Sequence, residues 1–407
     1  MNSIEQATGN SGSEPDRIRD LVDVRDPRAW IALDLDIRDV LRREWRPWDE
    51  PAKPVPLGPG STERELAVAL CHADGRVREA ALARVPGVPA LLPLVAIRGT
   101  DWAAPVRERA LALLRTALPA LPVQAFCDVA AVIVRVAERR HGAGVLALAE
   151  HQLRYSAPDF VARCLSAPER RVRRLAAREA VERELFSPVE LARFAAKGSD
   201  VTVQDRFAQA AVAALPGEET EAVLALLLDS RQSRVRATGV SALNRFGSAA
   251  RAEPFLTDRA PVVRACARWV LRQHGSPALP RYRELCSDAG RLDHAQAAAA
   301  AGLGECGERA DAALLRPLLA HPVPRVRAQA VAGLKALDVV AVAELLPLVD
   351  DPDPAVVRAA VDALLPSPGR LPEAWFAARL GEEVPPPTRL AARRLYQAVT
   401  GKHPSTW

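Results

Sequence analysis

Aromatic residues make up only 4% of this 407-residue chain, and it holds one methionine. Its core must therefore be built from Leu, Val and Ala, whose small side chains let neighbouring helices approach closely. Lysine is nearly absent, found only at Lys53, Lys197, Lys335 and Lys402, so almost all the positive charge is arginine. Six cysteines, Cys71, Cys127, Cys164, Cys266, Cys286 and Cys306, never form a CxxC pair. That excludes a recognisable disulfide frame or zinc ribbon and points to reduced thiols in a cytoplasmic protein. The histidines show no i, i+4 pair and no cysteine at metal spacing. No GxSxG elbow and no GxxxxGK[ST] loop occurs. The aspartates of VDDPDPAVV lack the glycine and closing glutamate of an EF-hand. The N-terminal MNSIEQATGNSGSEPD has neither the basic nor the apolar region of a signal peptide. No apolar run reaches the roughly 18 residues that a membrane span needs. The expectation is no cofactor, no metal and no membrane.

A short phrase recurs: a valine, an arginine, then small residues and a leucine. Copies begin at Val77, Val106, Val172, Val235, Val263, Val326 and Val357, with a weaker one at Val203. Successive copies lie roughly thirty residues apart, the period of a stacked repeat array. The long interval from Val106 to Val172 has room for a degenerate unit. Around each copy the pattern reads helix, turn, helix. In residues 87–116, apolar residues end near Gly99, Asp101 is placed to cap the next helix, and Pro105 sits in its first turn. Prolines thus punctuate helices instead of breaking them, and no alternating pattern long enough for a strand stands out. The fold expected is all-α, a right-handed α-solenoid of about ten stacked helix pairs. Residues 1–15 read as a disordered tail. Residues 16–60 read as an N-terminal cap helix with a Pro-rich linker, residues 61–400 as the repeats, and 401–407 as a C-terminal tail.

At these residues the chain resembles the HEAT repeat family, specifically the short bacterial variety described as phycobilisome-lyase-type HEAT-like repeats. The marks are the Val-Arg opening of the second helix and an aspartate a few residues before it. The pairs are Asp74 with Arg78, Asp101 with Arg107, Asp229 with Arg236, Asp258 with Arg264 and Asp353 with Arg358. The resemblance implies that such side chains form a ladder tying one repeat to the next. Two units depart from it: Gly142–Tyr155 has no Val-Arg, and Leu292-Asp293-His294 replaces the phrase in another.

A repeat rod offers an extended surface more than a pocket, and its fold alone names no activity. The function expected is a non-catalytic scaffold or adaptor that binds a protein partner on the concave layer of second helices. Arg170, Arg174 and Arg178, spaced along one helix face, are the expected contacts, as arginines not consumed by the ladder. The alternative is a nucleic-acid-binding protein, possibly resembling the HEAT-like DNA glycosylases, which use an aspartate, tryptophans and an arginine. Trp30 with Asp34 and Trp45 with Asp49 have suitable i, i+4 spacing but precede the repeats. Trp102 is expected to plug a seam between repeats. The GLGECG of residues 302–307 matches GxGxxG, but it follows a helix and not a strand, so it reads as a helix C-terminus with glycine stops.

Overall fold

The computed structural model describes residues 22–44, 57–58, 60–246, 249–288, 294–366, 371 and 373–401. The N-terminal tail, Trp45, Trp48, Asp49, most of the Pro-rich linker, Leu292, Asp293 and residues 402–407 lie outside the described residues. The fold is an all-α solenoid, with no strand among the described residues. The chain divides into two compact units, Met1–Ala210 and Ala211–Trp407.

In the first unit a cap helix, Pro27–Glu44, precedes the helix pairs. They begin with Glu63–Leu70 and Gly75–Leu82, then Leu92–Arg98 and Ala104–Ala117, then Val123–Val136 and Ala143–Tyr155. Pro158–Cys164 with Arg170–Glu182 and Pro188–Lys197 with Val201–Ala213 continue the series. First helices pack on first helices and second on second: Leu92–Arg98 meets Val123–Val136, and Gly75–Leu82 meets Ala104–Ala117. Local chemistry sets the boundaries. Thr62 with Glu65, and Ser187 with Glu190, form capping boxes that satisfy the free N–H groups of the first turn. Pro105 occupies the first turn of its helix, where a missing N–H costs nothing.

The cap helix is anchored by packing and by charge. Trp30 is 1% exposed, and its indole N–H donates to the Val24 carbonyl at 3.1 Å. Burying so large a side chain is worth about 2–3 kcal/mol. Stacking also brings Cys127 and Cys164 into contact, with their sulfurs 3.8 Å apart as free thiols.

The second unit repeats the plan around one continuous core running from Leu224 to Leu395. Its second helices include Ser233–Ala242, Pro261–Gln273, His294–Cys306, Pro324–Ala336 and Pro354–Leu364. Several of its first helices are short or 3-10, as at Ala249–Thr257 and Leu346–Asp350. Gly307 does follow the end of the helix at Cys306, its N–H bonded to the Leu303 carbonyl at 2.7 Å, but the other two glycines of GLGECG are not stops. Helix His294–Cys306 runs through Gly302 and Gly304. A Cβ at Gly302 would lie 2.3 Å from the Tyr282 ring, and one at Gly304 would lie 2.5 Å from the Gly333 Cα of the neighbouring second helix. Gly302 and Gly304 are sites of close approach, and for these two the stop reading is corrected.

Candidate functional site

The Val-Arg arginines occupy one repeated position. In six of the seven copies the guanidinium donates an Nη1–H to the carbonyl six residues earlier in its own turn. The bonds are Arg78 to His72 (2.8 Å), Arg107 to Asp101 (2.8 Å), Arg173 to Ala167 (2.6 Å), Arg236 to Ser230 (2.7 Å), Arg264 to Asp258 (2.8 Å) and Arg327 to His321 (2.8 Å). In the weaker copy Gln204 makes the same bond, to Gly198 at 2.9 Å. The arginine thus closes the turn before its own helix.

In three copies the remaining nitrogens reach the capping carboxylate of the next repeat, not of their own. Arg78 forms a bidentate pair with Asp101 at 2.9 and 2.8 Å, Arg236 with Asp258 at 2.8 and 2.8 Å, and Arg327 with Asp351 at 2.8 and 2.8 Å. The expected pairs are therefore corrected. Asp74 caps Arg76 N–H, Asp229 ends the helix before Arg236, and Asp353 caps Ala355 N–H, while Arg358 is exposed. Arg107 and Arg264 meet Asp101 and Asp258 through main-chain carbonyls. The physical reason is reach. A carboxylate that caps its own turn is aimed away from the arginine inside that helix and toward the adjacent second helix, where a planar guanidinium can take both oxygens.

The expected contact stripe is largely spent in the same way. Arg174 pairs with Asp200 at 3.1 Å and so belongs to the ladder. Arg178 pairs with Glu150 at 2.8 Å and Glu179 at 3.3 Å. Arg170 is exposed. The Arg178–Glu150 bond falls where the phrase is missing. Helix Ala143–Tyr155, the degenerate unit, is tied to its successor by Glu150–Arg178 and by Arg154 on the buried Glu179. In the second unit, helix His294–Cys306 is tied to its predecessor by Glu305, which takes both Arg264 and Arg268.

Burial alone would raise the carboxyls of Asp200, Asp258 and Asp351. Their arginine partners and the N–H groups they cap outweigh it and hold all three below the ordinary carboxylate range. A depressed folded-state value stabilises above the unfolded-state pKa of about 3.9, and that stability is lost as pH falls through the folded value. Unfolding followed by circular dichroism should show a urea midpoint that is flat between about pH 7 and 5 and falls below about pH 4. The Arg327→Met variant should start lower at neutral pH and lose less on acidification. A parallel fall in both proteins would contradict the rung.

A half-open concave feature lies where the cap helix meets the first repeats. A cavity of about 230 Å³ is walled by Asp34 and Arg38 of the cap helix, Arg98 and Thr100 at the end of helix Leu92–Arg98, and Arg139. Asp34 is held by Arg98 and by Arg38 Nε at 3.0 Å. Asp101 holds Arg78 and, at 3.4 Å, Arg98. Arg139 donates to Thr100 Oγ1 at 3.4 Å. At the mouth Trp102 is 73% exposed and Leu35 57% exposed. Trp102 does not plug a seam, because its turn is already closed by Arg107. Its indole lies outside, with the Arg78 guanidinium 5.9 Å from the ring centroid. Trp30 is sealed in the core and does not join Asp34 at a common cleft, so the two do not form the glycosylase-like pair. Nearby, burial pushes the Cys71 thiol well up and holds His72 below its ordinary value. The neutral His72 ring accepts the Asp74 N–H through Nδ1 at 3.0 Å.

Among the described residues no group of three His, Cys, Asp or Glu side chains could hold a metal ion, and no helix is long and apolar enough to cross a membrane.

No family model and no curated protein matches the chain. Crystal structures of Kap121p are similar to it. One covers 82% of this chain and 44% of Kap121p at 12% identity, with a TM-score of 0.31. The complex with Pho4p covers 80% and 44% at 13% identity and TM-score 0.30, and that with RanGTP 82% and 44% at 12% identity and TM-score 0.29. The chain thus spans about two fifths to one half of the length of Kap121p. Kap121p is a karyopherin, and karyopherins are HEAT-repeat α-solenoids.

Proposed function

We propose that this chain is a non-catalytic scaffold of the short bacterial HEAT-like kind, acting in the cytoplasm and binding a protein partner. The observation that carries the reading is the exposed Trp102 beside Leu35 over a walled cavity. Tryptophan is the residue type most enriched at the energetic centres of protein interfaces, and an indole left 73% exposed forgoes burial that a partner would supply. Of the three expected contact arginines, Arg170 is exposed, whereas Arg174 and Arg178 pair with carboxylates.

The arginine chemistry speaks against the nucleic-acid alternative. A phosphate backbone is gripped by a row of uncommitted cations, whereas arginines of both units are engaged by carboxylates of neighbouring repeats.

A photo-crosslinking amino acid at position 102, compared with the same group at the exposed Leu390, tests the proposal in host extract. A discrete protein adduct from position 102, absent from position 390, is the expected result. Equal adducts at both positions, or adducts that are mainly nucleic acid, would sink the reading.

A further inference from the structure

The cavity beneath Trp102 carries an imbalance of charge. Three arginines, Arg38, Arg98 and Arg139, face it against two carboxylates, Asp34 and Asp101. Both carboxylates are already taken. Asp34 is bonded to Arg98 and Arg38, and Asp101 to Arg78 and Arg98, with Arg38 Nη2 a further 3.9 Å from Asp101. Arg78, behind the wall, is saturated by Asp101 and by the His72 and Ala73 carbonyls. Arg38 and Arg139 therefore hold N–H groups in excess of the acceptors around them. Arg98 is 1% exposed, and its buried Nε–H has no hydrogen-bond partner. The accessible guanidinium edges are those of Arg38, half-buried, and Arg139, exposed, and an acceptor entering the cavity meets these.

We infer that this cavity is a carboxylate-binding pocket, and that its occupant is an aspartate or glutamate side chain in a segment of the protein partner. The inference rests on the scaffold reading and gives the partner its chemistry. Guanidinium forks match a carboxylate edge. The indole of Trp102 and the side chain of Leu35 at the mouth suit an apolar residue next to the acid. A single cavity of about 230 Å³ suits one side chain, whereas nucleic acid needs successive phosphate contacts along its backbone.

The test uses the full chain labelled with 5-fluorotryptophan, the Trp102 fluorine resonance being assigned with Trp102→Phe. Two peptide probes are titrated, acetyl-Ala-Asp-Leu-amide and acetyl-Ala-Asn-Leu-amide. The Asp probe should shift the Trp102 resonance to saturation and bind at least about tenfold more tightly than the Asn probe, the ratio expected for charge-assisted bonds. Arg38→Gln should abolish that preference. Arg139→Gln, at an exposed site, should do the same with an unchanged melting curve. Equal response to both probes, survival of the preference in both variants, or stronger saturation by a short DNA duplex would overturn the inference. A protein adduct from position 102 without acid selectivity would leave the scaffold reading standing and remove the carboxylate. Acid selectivity without any adduct would do the reverse.

Discussion

Gly304→Ala should destabilise the second unit by about 3 kcal/mol, the upper range for overpacking a tight core. Helix propensity alone points the other way, favouring alanine by about 1 kcal/mol, so the sign decides. The added methyl would sit 2.5 Å from the Gly333 Cα, and a backbone atom cannot rotate out of the way. Helices His294–Cys306 and Pro324–Ala336 would have to separate along their contact. Hydrogen exchange should show lost protection in both helices, and stabilisation on substitution would refute the close approach. Gly302→Ala is the instructive partner. Its methyl would strike the ring of the fully buried Tyr282, which is a side chain. Trimming Tyr282→Leu should therefore recover part of the loss at Gly302, whereas Gly333 has no side chain to trim.

The second large effect is expected at Asp101. Asp101→Ala leaves Arg78, at 0% exposure, and Arg98, at 1%, without that carboxylate, and stranding buried charge costs about 3–5 kcal/mol. Asp74→Ala removes only a bond to the Arg76 N–H, a cap worth about 1 kcal/mol. Thermal unfolding of the two variants ranks them directly. Were the ladder closed within each repeat, Asp74 would be the costlier loss.

Much of the fold could be read from the Val-Arg phrase, because it marks the one helix face that must be small and the one position where a cation closes the turn. The partner of that cation could not. Asp74 is nearer Arg78 along the chain than Asp101 is, and only the offset between stacked helices brings Asp101 within bonding distance. That offset has no local sequence signal. The degenerate unit at Ala143–Tyr155 was visible as a gap in the phrase, yet its replacement bonds, Glu150 with Arg178 and Arg154 with Glu179, look in sequence like ordinary surface charge. That is why Arg178 read as a contact residue. Trp102 departs from expectation for a related reason. An indole beside a capping aspartate reads as seam filler, but Arg107 already fills that role through the Asp101 carbonyl. The glycines of GLGECG carry the same ambiguity, since a stop and a close approach both demand a missing Cβ.

Charge committed across repeats is what sets the Trp102 mouth apart as the proposed partner surface. The most direct test of that commitment is a pair of double-mutant cycles sharing Arg236, one with Asp258 of the next repeat and one with Asp229 of its own. Coupling of about 1–3 kcal/mol to Asp258, with near-additivity for Asp229, is the outcome predicted for a bidentate cross-repeat pair. Larger coupling to Asp229 would contradict it.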